Sequence, residues 1–183
     1  MKRFFDIVAS LVALVMFSPV FIIASLVIKV DGGPILFKQK RVGINGIPFS
    51  IYKFRSMVIN AENLGGYLTS ENDKRITKVG AFIRKTSLDE IPQLINVLKG
   101  EMTLVGPRPN VPAQKNEYSE AQWAKRNSVI PGITGLAQAT LRSKATWQQR
   151  YDLDIGYIEK SSFFYDLWII FLTIKQVLVK GGN

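Results

Sequence analysis

Three features of the sequence predict an α+β chain, mostly helical, with its N-terminus seated in a membrane. The first is an uncharged apolar run from Ile7 to Ile28, interrupted by Ser18-Pro19. The second is a pair of short segments, Ile35 to Lys40 and Phe49 to Phe54, flanking Asn45-Gly46; strand-like runs around that dipeptide read as a small β-hairpin. The third is the recurrence of apolar residues at helical spacing in 91–98, 146–160 and 163–180. Of the 183 residues, setting aside about 30 for the apolar run leaves roughly 150, a common size for one domain. The expected organisation is a membrane anchor over 1–30 and a compact domain over 31–183, ending in an amphipathic helix at about 163–180.

The chain carries 24 Lys and Arg against 14 Asp and Glu, a formal charge of +10. That balance favours anionic partners, whether phosphates, acidic lipid head groups or nucleic acid, without choosing among them. Cysteine is absent, which excludes disulfides and thiolate chemistry but fixes no compartment. Histidine is absent too. The commonest general base and transition-metal ligand is thereby removed, so catalysis falls to carboxylates, lysines and tyrosines.

As a straight helix the apolar run spans about 33 Å, enough to cross a hydrocarbon core of roughly 30 Å. It is too long for a signal-peptide core and no cleavage pattern follows it. Pro19 lacks an N–H and its ring clashes with the preceding turn, so the helix kinks or breaks there. The two legs that remain, about 18 Å and 13 Å, each fall short of a span. Lys2 and Arg3 before the run, and Lys29, Lys38, Lys40 and Arg41 after it, pull both ends toward the cytoplasm. Two geometries stay open on these grounds: a kinked span, and a re-entrant helical hairpin that leaves on the face it entered.

Asp31-Gly32-Gly33-Pro34 reads as a turn out of the anchor. The hairpin that follows carries Lys38, Lys40, Arg41, Lys53 and Arg55, basic residues that could equally be a solvated edge. Asn60 to Lys78, with Gly65-Gly66 and Ser70-Glu71-Asn72-Asp73, reads as a loop able to move over a site. Ile91, Leu94, Ile95 and Leu98 share one helical face that Gly100 is placed to end. Glu117 to Arg126 is a polar helix and Pro131 to Gly135 a turn. Thr146 to Lys160 is a helix with Trp147, Tyr151, Ile155 and Ile158 on one side. In the last segment, Asp166 and Lys175 argue against a second span and for an interfacial helix.

The candidate site is Thr86-Ser87-Leu88-Asp89-Glu90-Ile91-Pro92, with Val105-Gly106-Pro107-Arg108-Pro109 shortly after it. Ser87-x-x-Glu90 is a capping-box pattern, and a helix dipole stabilises acidic residues in its first turn, so capping alone explains both carboxylates. Pro92 fits that reading imperfectly and points to an irregular start or a cap at Asp89. The functional reading rests on charge. A carboxylate kept ionised can act as a nucleophile or hold Mg²⁺, which bridges readily to substrate phosphates. Arg84, Lys85 and Arg108 lie close in sequence, and arginine forks grip phosphate oxygens in pairs.

These motifs together resemble the bacterial sugar transferase family, the small monotopic phosphoglycosyl transferases of the PglC-like type. The resemblance runs through Ser18-Pro19, Ile51-Tyr52-Lys53-Phe54-Arg55-Ser56-Met57, Ile83-Arg84, Ser87 to Leu94, Asn96 to Met102, Val105 to Pro109 and Pro131 to Gln138. It implies transfer of a sugar-1-phosphate from a UDP-sugar to undecaprenyl phosphate at the cytoplasmic face of the bacterial inner membrane, releasing UMP and starting an envelope glycan.

It further implies Asp89 as the nucleophile that forms a phosphosugar-aspartyl intermediate, with Glu90 beside it in Mg²⁺ binding or proton handling. The same likeness places Arg84 and Arg108 on substrate phosphate, Lys53 and Arg55 near the active site, and Gln138 and Arg142 in nucleotide-sugar binding. Ser18-Pro19 corresponds to the family's helix break, which favours the re-entrant anchor among inner-membrane phospholipids. One segment departs from the pattern. Where many relatives continue with Val-Asn-Gly-Arg after Gln138, this chain has Ala139-Thr140-Leu141-Arg142, so the sugar is not transferable. No nucleic-acid module is recognisable. The competing readings are a membrane-tethered basic domain that binds anionic lipid or nucleic acid without catalysis, and a silent scaffold. Oligomeric state is not encoded in any feature of the sequence.

Overall fold

The computed structural model describes residues 1–66, 73–141 and 146–180. It is mostly helical with a small β-hairpin, as the sequence predicts. Helix α1 (Lys2–Met16) and helix α2 (Ser18–Val30) meet at Phe17 with a bend of 61°. Pro19 lies in the first turn of α2, where a missing N–H costs nothing. The Ser18 hydroxyl donates to the Val15 carbonyl at 2.8 Å, and the Phe17 amide still reaches Ala13 at 2.8 Å. The Phe17 carbonyl in turn accepts the Phe21 amide at 2.8 Å, so hydrogen bonds continue on both sides of the break. No single helix among the described residues is long and apolar enough to cross a membrane, and the bent pair meets that test only together.

Much of α1 and α2 exposes large apolar side chains, among them Phe4, Val12, Val15, Ile22, Ile23 and Leu26. The N-terminal half of α1 nevertheless docks on the rest of the fold. Arg3 donates to the last carbonyls of helix α5 (Gln93–Lys99), at Val97 and Leu98, where a cation suits the negative helix end. Asp6, buried, accepts the Thr103 hydroxyl at 2.6 Å.

Strands β1 (Leu36–Val42) and β2 (Pro48–Phe54) pair antiparallel from Leu36 opposite Phe54 to Val42 opposite Pro48. Both are longer than the sequence predicts. The two-residue turn expected at Asn45-Gly46 is instead a longer connection, closed by the Gly43 amide on the Ile47 carbonyl at 2.8 Å. Asn45 and Gly46 still take the left-handed conformation that marks them as turn residues, with φ of 54° and 79°. Asn96 of α5 locks that helix to β2: its side chain accepts from the Tyr52 amide at 3.0 Å and donates to the Ser50 carbonyl at 2.8 Å. Gly100, at φ 84°, ends α5 as expected.

The predicted loop after β2 contains a short helix α3 (Ala61–Leu64) and a bridge between Met57 and Ile76. Ser70, Glu71 and Asn72 lie outside the described residues. Helix α4 (Lys78–Lys85) follows, capped by the Thr77 hydroxyl on the Gly80 amide. The turn expected at Pro131 to Gly135 is instead mainly a strand. β4 (Gly132–Thr134) pairs parallel with β3 (Thr103–Val105). A Cβ on Gly132 would lie 2.1 Å from the Gly106 amide, so only glycine lets the two backbones approach this closely.

The polar helix is α6 (Glu120–Arg126), shorter than expected because Pro112–Glu117 forms a separate 3₁₀ turn. After α7 (Leu136–Thr140), helix α8 (Trp147–Lys160) begins at its Thr146 cap. Its buried face is not the expected stripe. Asp154 and Tyr157 are the buried positions, while Trp147 and Tyr151 stack on each other beside Tyr118. Helix α9 (Phe163–Lys180) is amphipathic as expected, with Ile169 buried and Phe164, Phe171 and Leu178 exposed. Asp166 is not on its solvated face but buried against Lys2 at 2.6 Å. Lys2 donates to the Val105 carbonyl and to Asp166, and the Tyr157 hydroxyl of α8 lies within reach of both acceptors, joining α1, α8, α9 and β3.

Candidate active site

Asp89 and Glu90 lie on a 3₁₀ turn, Leu88–Glu90, between α4 and α5. The capping box read from Ser87 and Glu90 is not formed. Ser87 is in the left-handed region at φ 58° and its hydroxyl caps nothing. Glu90 has turned away from the Ser87 backbone because two cations offer stronger partners. Lys53 Nζ lies 2.7 Å from Glu90 Oε1, and Arg108 Nη2 lies 2.6 Å from the same oxygen. An irregular start to the helix is what Pro92 signals, and Pro92 is the residue that precedes α5.

Asp89 is 7 % exposed and meets Lys53 only at 3.8 Å. Its environment differs from that of its neighbour. Burial pushes the Asp89 carboxyl above its ordinary range; Lys53 opposes that shift and the Glu90 charge adds to it. Burial also acts on Glu90, but Arg108 and Lys53 outweigh it and hold the group far below the ordinary carboxylate range. Burial lowers the Lys53 ammonium, with Glu90 resisting. The cations thus favour the ionised form of Glu90, while burial disfavours the ionised form of Asp89.

The strand-like segment carrying Arg108 is held by its carbonyls. Pro107 and Pro109 have no N–H to give, so external donors fix the backbone. Lys2 and Tyr157 reach the Val105 carbonyl, the Gly132 amide reaches Pro107, and Arg126 reaches Arg108 at 2.8 Å. Arg41 reaches Pro109 at 3.0 Å, and the Val42 amide reaches Asn110 at 2.9 Å. Arg108 therefore projects from a fixed backbone toward Glu90.

Of the residues expected here, Asp89, Glu90, Lys53 and Arg108 come together. Arg84 makes no ion pair or hydrogen bond among the described residues, but its charge acts on Asp89. Arg55 does not join them in any hydrogen bond or ion pair. Its guanidinium, 7 % exposed, instead donates to the Ile28 carbonyl at 2.9 Å, beside Gly33, and so caps the end of α2. Gln138 lies on α7 with its amide nitrogen buried and unbonded, and Arg142 lies outside the described residues.

Sequence reasoning missed Arg41 as a site residue. Its guanidinium bonds Pro109 and Gln39 but no carboxylate, its Nε is buried without a partner, and burial together with Arg108 lowers its pKa to about 10. A hairpin arginine looks like a solvated edge until the register brings it beside Arg108. Chemically, the arrangement is a buried carboxylate facing a surplus of cations: Lys53, Arg108, Arg41 and Arg84 against Asp89 and Glu90. That suits a multiply charged anion presented to a nucleophile.

Residues 1–180 match the bacterial sugar transferase family. The chain is 44% identical over its whole length to an uncharacterized sugar transferase, EpsL, of Bacillus subtilis, covering 89% of that protein. It is 40% identical to the UDP-glucose:undecaprenyl-phosphate glucose-1-phosphate transferase of Escherichia coli, with 98% of this chain aligned to 40% of that protein. It is 41% identical to the undecaprenyl-phosphate galactose phosphotransferase of Salmonella typhimurium, with 100% of this chain aligned to 41% of that protein. The chain thus spans well under half of these two longer relatives. It belongs to the bacterial sugar transferase family.

Proposed function

We infer that the protein is a phosphoglycosyl transferase that moves a sugar-1-phosphate from a UDP-sugar to undecaprenyl phosphate, releasing UMP. The observation that carries this reading is the divided acidic pair: Glu90 neutralised by Lys53 and Arg108, and Asp89 buried beside them without a close partner of its own. A pair divided in this way suits a nucleophile and its supporting charge. Relatives at 40% and 41% identity carry glucose and galactose in their names, so similarity of this degree supports the reaction class and leaves the sugar open.

In this reading an Asp89 oxygen attacks the phosphorus that bears the sugar. A P–O bond forms to Asp89 as the bond to the UMP oxygen breaks, and the leaving phosphate takes the electron pair. An oxygen of undecaprenyl phosphate then attacks the same phosphorus, and Asp89 leaves as its carboxylate. Lys53, Arg108, Arg41 and Arg84 offset charge that builds on the phosphoryl oxygens. Glu90 keeps Lys53 and Arg108 in place.

Among the described residues no group of three or more acidic side chains is placed to hold a metal ion. Mg²⁺ needs no such cage, since one or two carboxylates with substrate phosphate oxygens and water suffice. Asp89 fits that part. Glu90 would offer Oε2, which meets only Arg108 Nη1 at 3.4 Å, because Lys53 and Arg108 Nη2 already occupy Oε1. When bound, the ion would supply further neutralisation of the diphosphate.

The anchor reads as re-entrant, placing the site at the cytoplasmic face of the inner membrane. Both ends of the helical pair return to the same body: Lys2 bonds the Val105 carbonyl and Ile28 accepts from Arg55, while apolar side chains around the bend are exposed. The exposed apolar side of α9 extends the phospholipid contact. Purified protein given a UDP-sugar, undecaprenyl phosphate and Mg²⁺ tests the reaction. The expected result is UMP release that D89N abolishes while membrane association persists. Turnover retained in D89N overturns Asp89 as nucleophile.

A further inference from the structure

A second buried ion pair lies behind the site and touches neither carboxylate of the acidic pair. Arg126, the last residue of α6, and Asp154, in the middle of α8, are 2 % and 1 % exposed. Arg126 donates from Nε to Asp154 Oδ2 at 2.9 Å and lies 2.7 Å from the same oxygen through Nη2. Its Nη2 also donates to the Arg108 backbone carbonyl at 2.8 Å. The Tyr118 ring covers the guanidinium at 5.9 Å. Asp154 Oδ1 is buried with no hydrogen-bond partner.

As a stabilising device this arrangement is poor. A buried ion pair usually does no better than well-packed apolar residues of the same volume, and an unpartnered carboxylate oxygen makes it worse. What an apolar pair could not do is hold the Arg108 carbonyl. Arg108 sits between two prolines, and neither Pro107 nor Pro109 has an N–H that could hold the chain on either side of it. The guanidinium of Arg126 has a planar fork, and Asp154 fixes the direction in which that fork points. The Arg108 side chain then leaves its backbone at an angle that puts Nη2 2.6 Å from Glu90.

We propose that Arg126 and Asp154 are positioning residues that act on phosphoryl transfer through the backbone of Arg108. The pair touches no substrate. It sets the angle from which Arg108 meets Glu90 and the phosphate, and an angular error of that kind costs rate even where binding survives. This inference rests on the proposed transferase activity.

The test is a double-mutant cycle on UMP release, with kcat and KM measured separately and folding followed by thermal melting. R126K keeps a cation for Asp154 and gives up the bond to Arg108; D154N keeps the shape and removes the charge that orients Arg126. R126K is expected to lower kcat by about tenfold with KM changed less than about threefold, and D154N to lower it by less. In an R108Q background the same R126K change should cost less than about twofold, because the residue it acts through is gone.

A full multiplicative loss in that background overturns the proposal, and so does unchanged kcat in both single variants. Failure of both to yield folded protein assigns the pair to folding and overturns it too. Absence of UMP release by the unaltered protein is a different result, which removes the transferase reading itself.

Discussion

Two buried polar clusters in this fold use the same kinds of residue in opposite ways. Around Val105, the Lys2 ammonium spends three donors on the Val105 carbonyl, the Tyr157 hydroxyl and Asp166, while Tyr157 and Asp166 bond each other. One cation meets one carboxylate. Around Asp89, four cations meet two carboxylates, one guanidinium nitrogen of Arg41 has no partner, and Asp89 is held only at 3.8 Å. The first cluster balances its charges and joins helices; the second leaves a surplus of cations, which the proposed anionic substrate would offset.

The harshest way to break this contrast is D89N. If the unbalanced cluster is a reaction centre, kcat should fall by at least about a thousandfold, the scale seen when a nucleophile is removed. The melting temperature should hold or rise, because burial already disfavours the charged form of Asp89. A loss of stability with activity retained would place Asp89 among the structural groups instead.

E90Q should cost both properties. Removing the carboxylate from this part-buried group leaves Lys53 and Arg108 with only the more distant Asp89 to offset them, a loss of about 1–3 kcal/mol. Denaturant unfolding reads that directly, and UMP release should drop with it. A stable but inactive E90Q would instead give Glu90 a chemical role beyond holding its cations.

Dependence on pH sharpens the contrast further. In the proposed mechanism, activity needs Asp89 ionised and Lys53 protonated. Burial raises the first group from 3.8 and lowers the second from 10.5, so both limbs of the kcat/KM profile should move inward. K53R should push the alkaline limb out of range and leave the acid limb where it is, since a guanidinium does not titrate there. Stability runs the other way at Asp89. A raised folded pKa contributes stability below the ordinary carboxylate range, and that contribution is lost as pH rises through the raised value.

How much of this was legible in the sequence depended on range. The bend at Ser18-Pro19, the Gly100 stop and the Thr146 start are local effects of one or two residues and were readable. The capping box offered by Ser87-x-x-Glu90 is a local pattern and does not form, because the partners Glu90 takes, Lys53 and Arg108, arrive from β2 and the segment after β3. Arg55 shows the complementary effect. It follows Lys53 by two residues, the spacing that shares a face within a strand, but β2 ends at Phe54 and the chain turns it toward α2. β4 read as a turn because its glycines usually mark one; here they permit a close strand pair. Asp166 reads in the sequence only as a charge that argues against a second span; its partner, Lys2, is far away in sequence.

The balanced cluster supplies the mildest test. K2M removes the ammonium but keeps the stem, leaving Asp166 buried with Tyr157 as its remaining side-chain partner. The expected cost is about 1–3 kcal/mol of stability, the penalty for stripping a partner from a buried polar group. Chemistry should barely notice. The Gly132 amide still holds Pro107, and Arg126 still holds the Arg108 carbonyl. Measured below its melting transition, K2M should therefore keep kcat within about twofold. A larger fall in kcat, at full folding, would mean that the helix junction at Val105 is part of the machinery that aims Arg108, and the boundary between the two clusters would have to be redrawn to include Lys2.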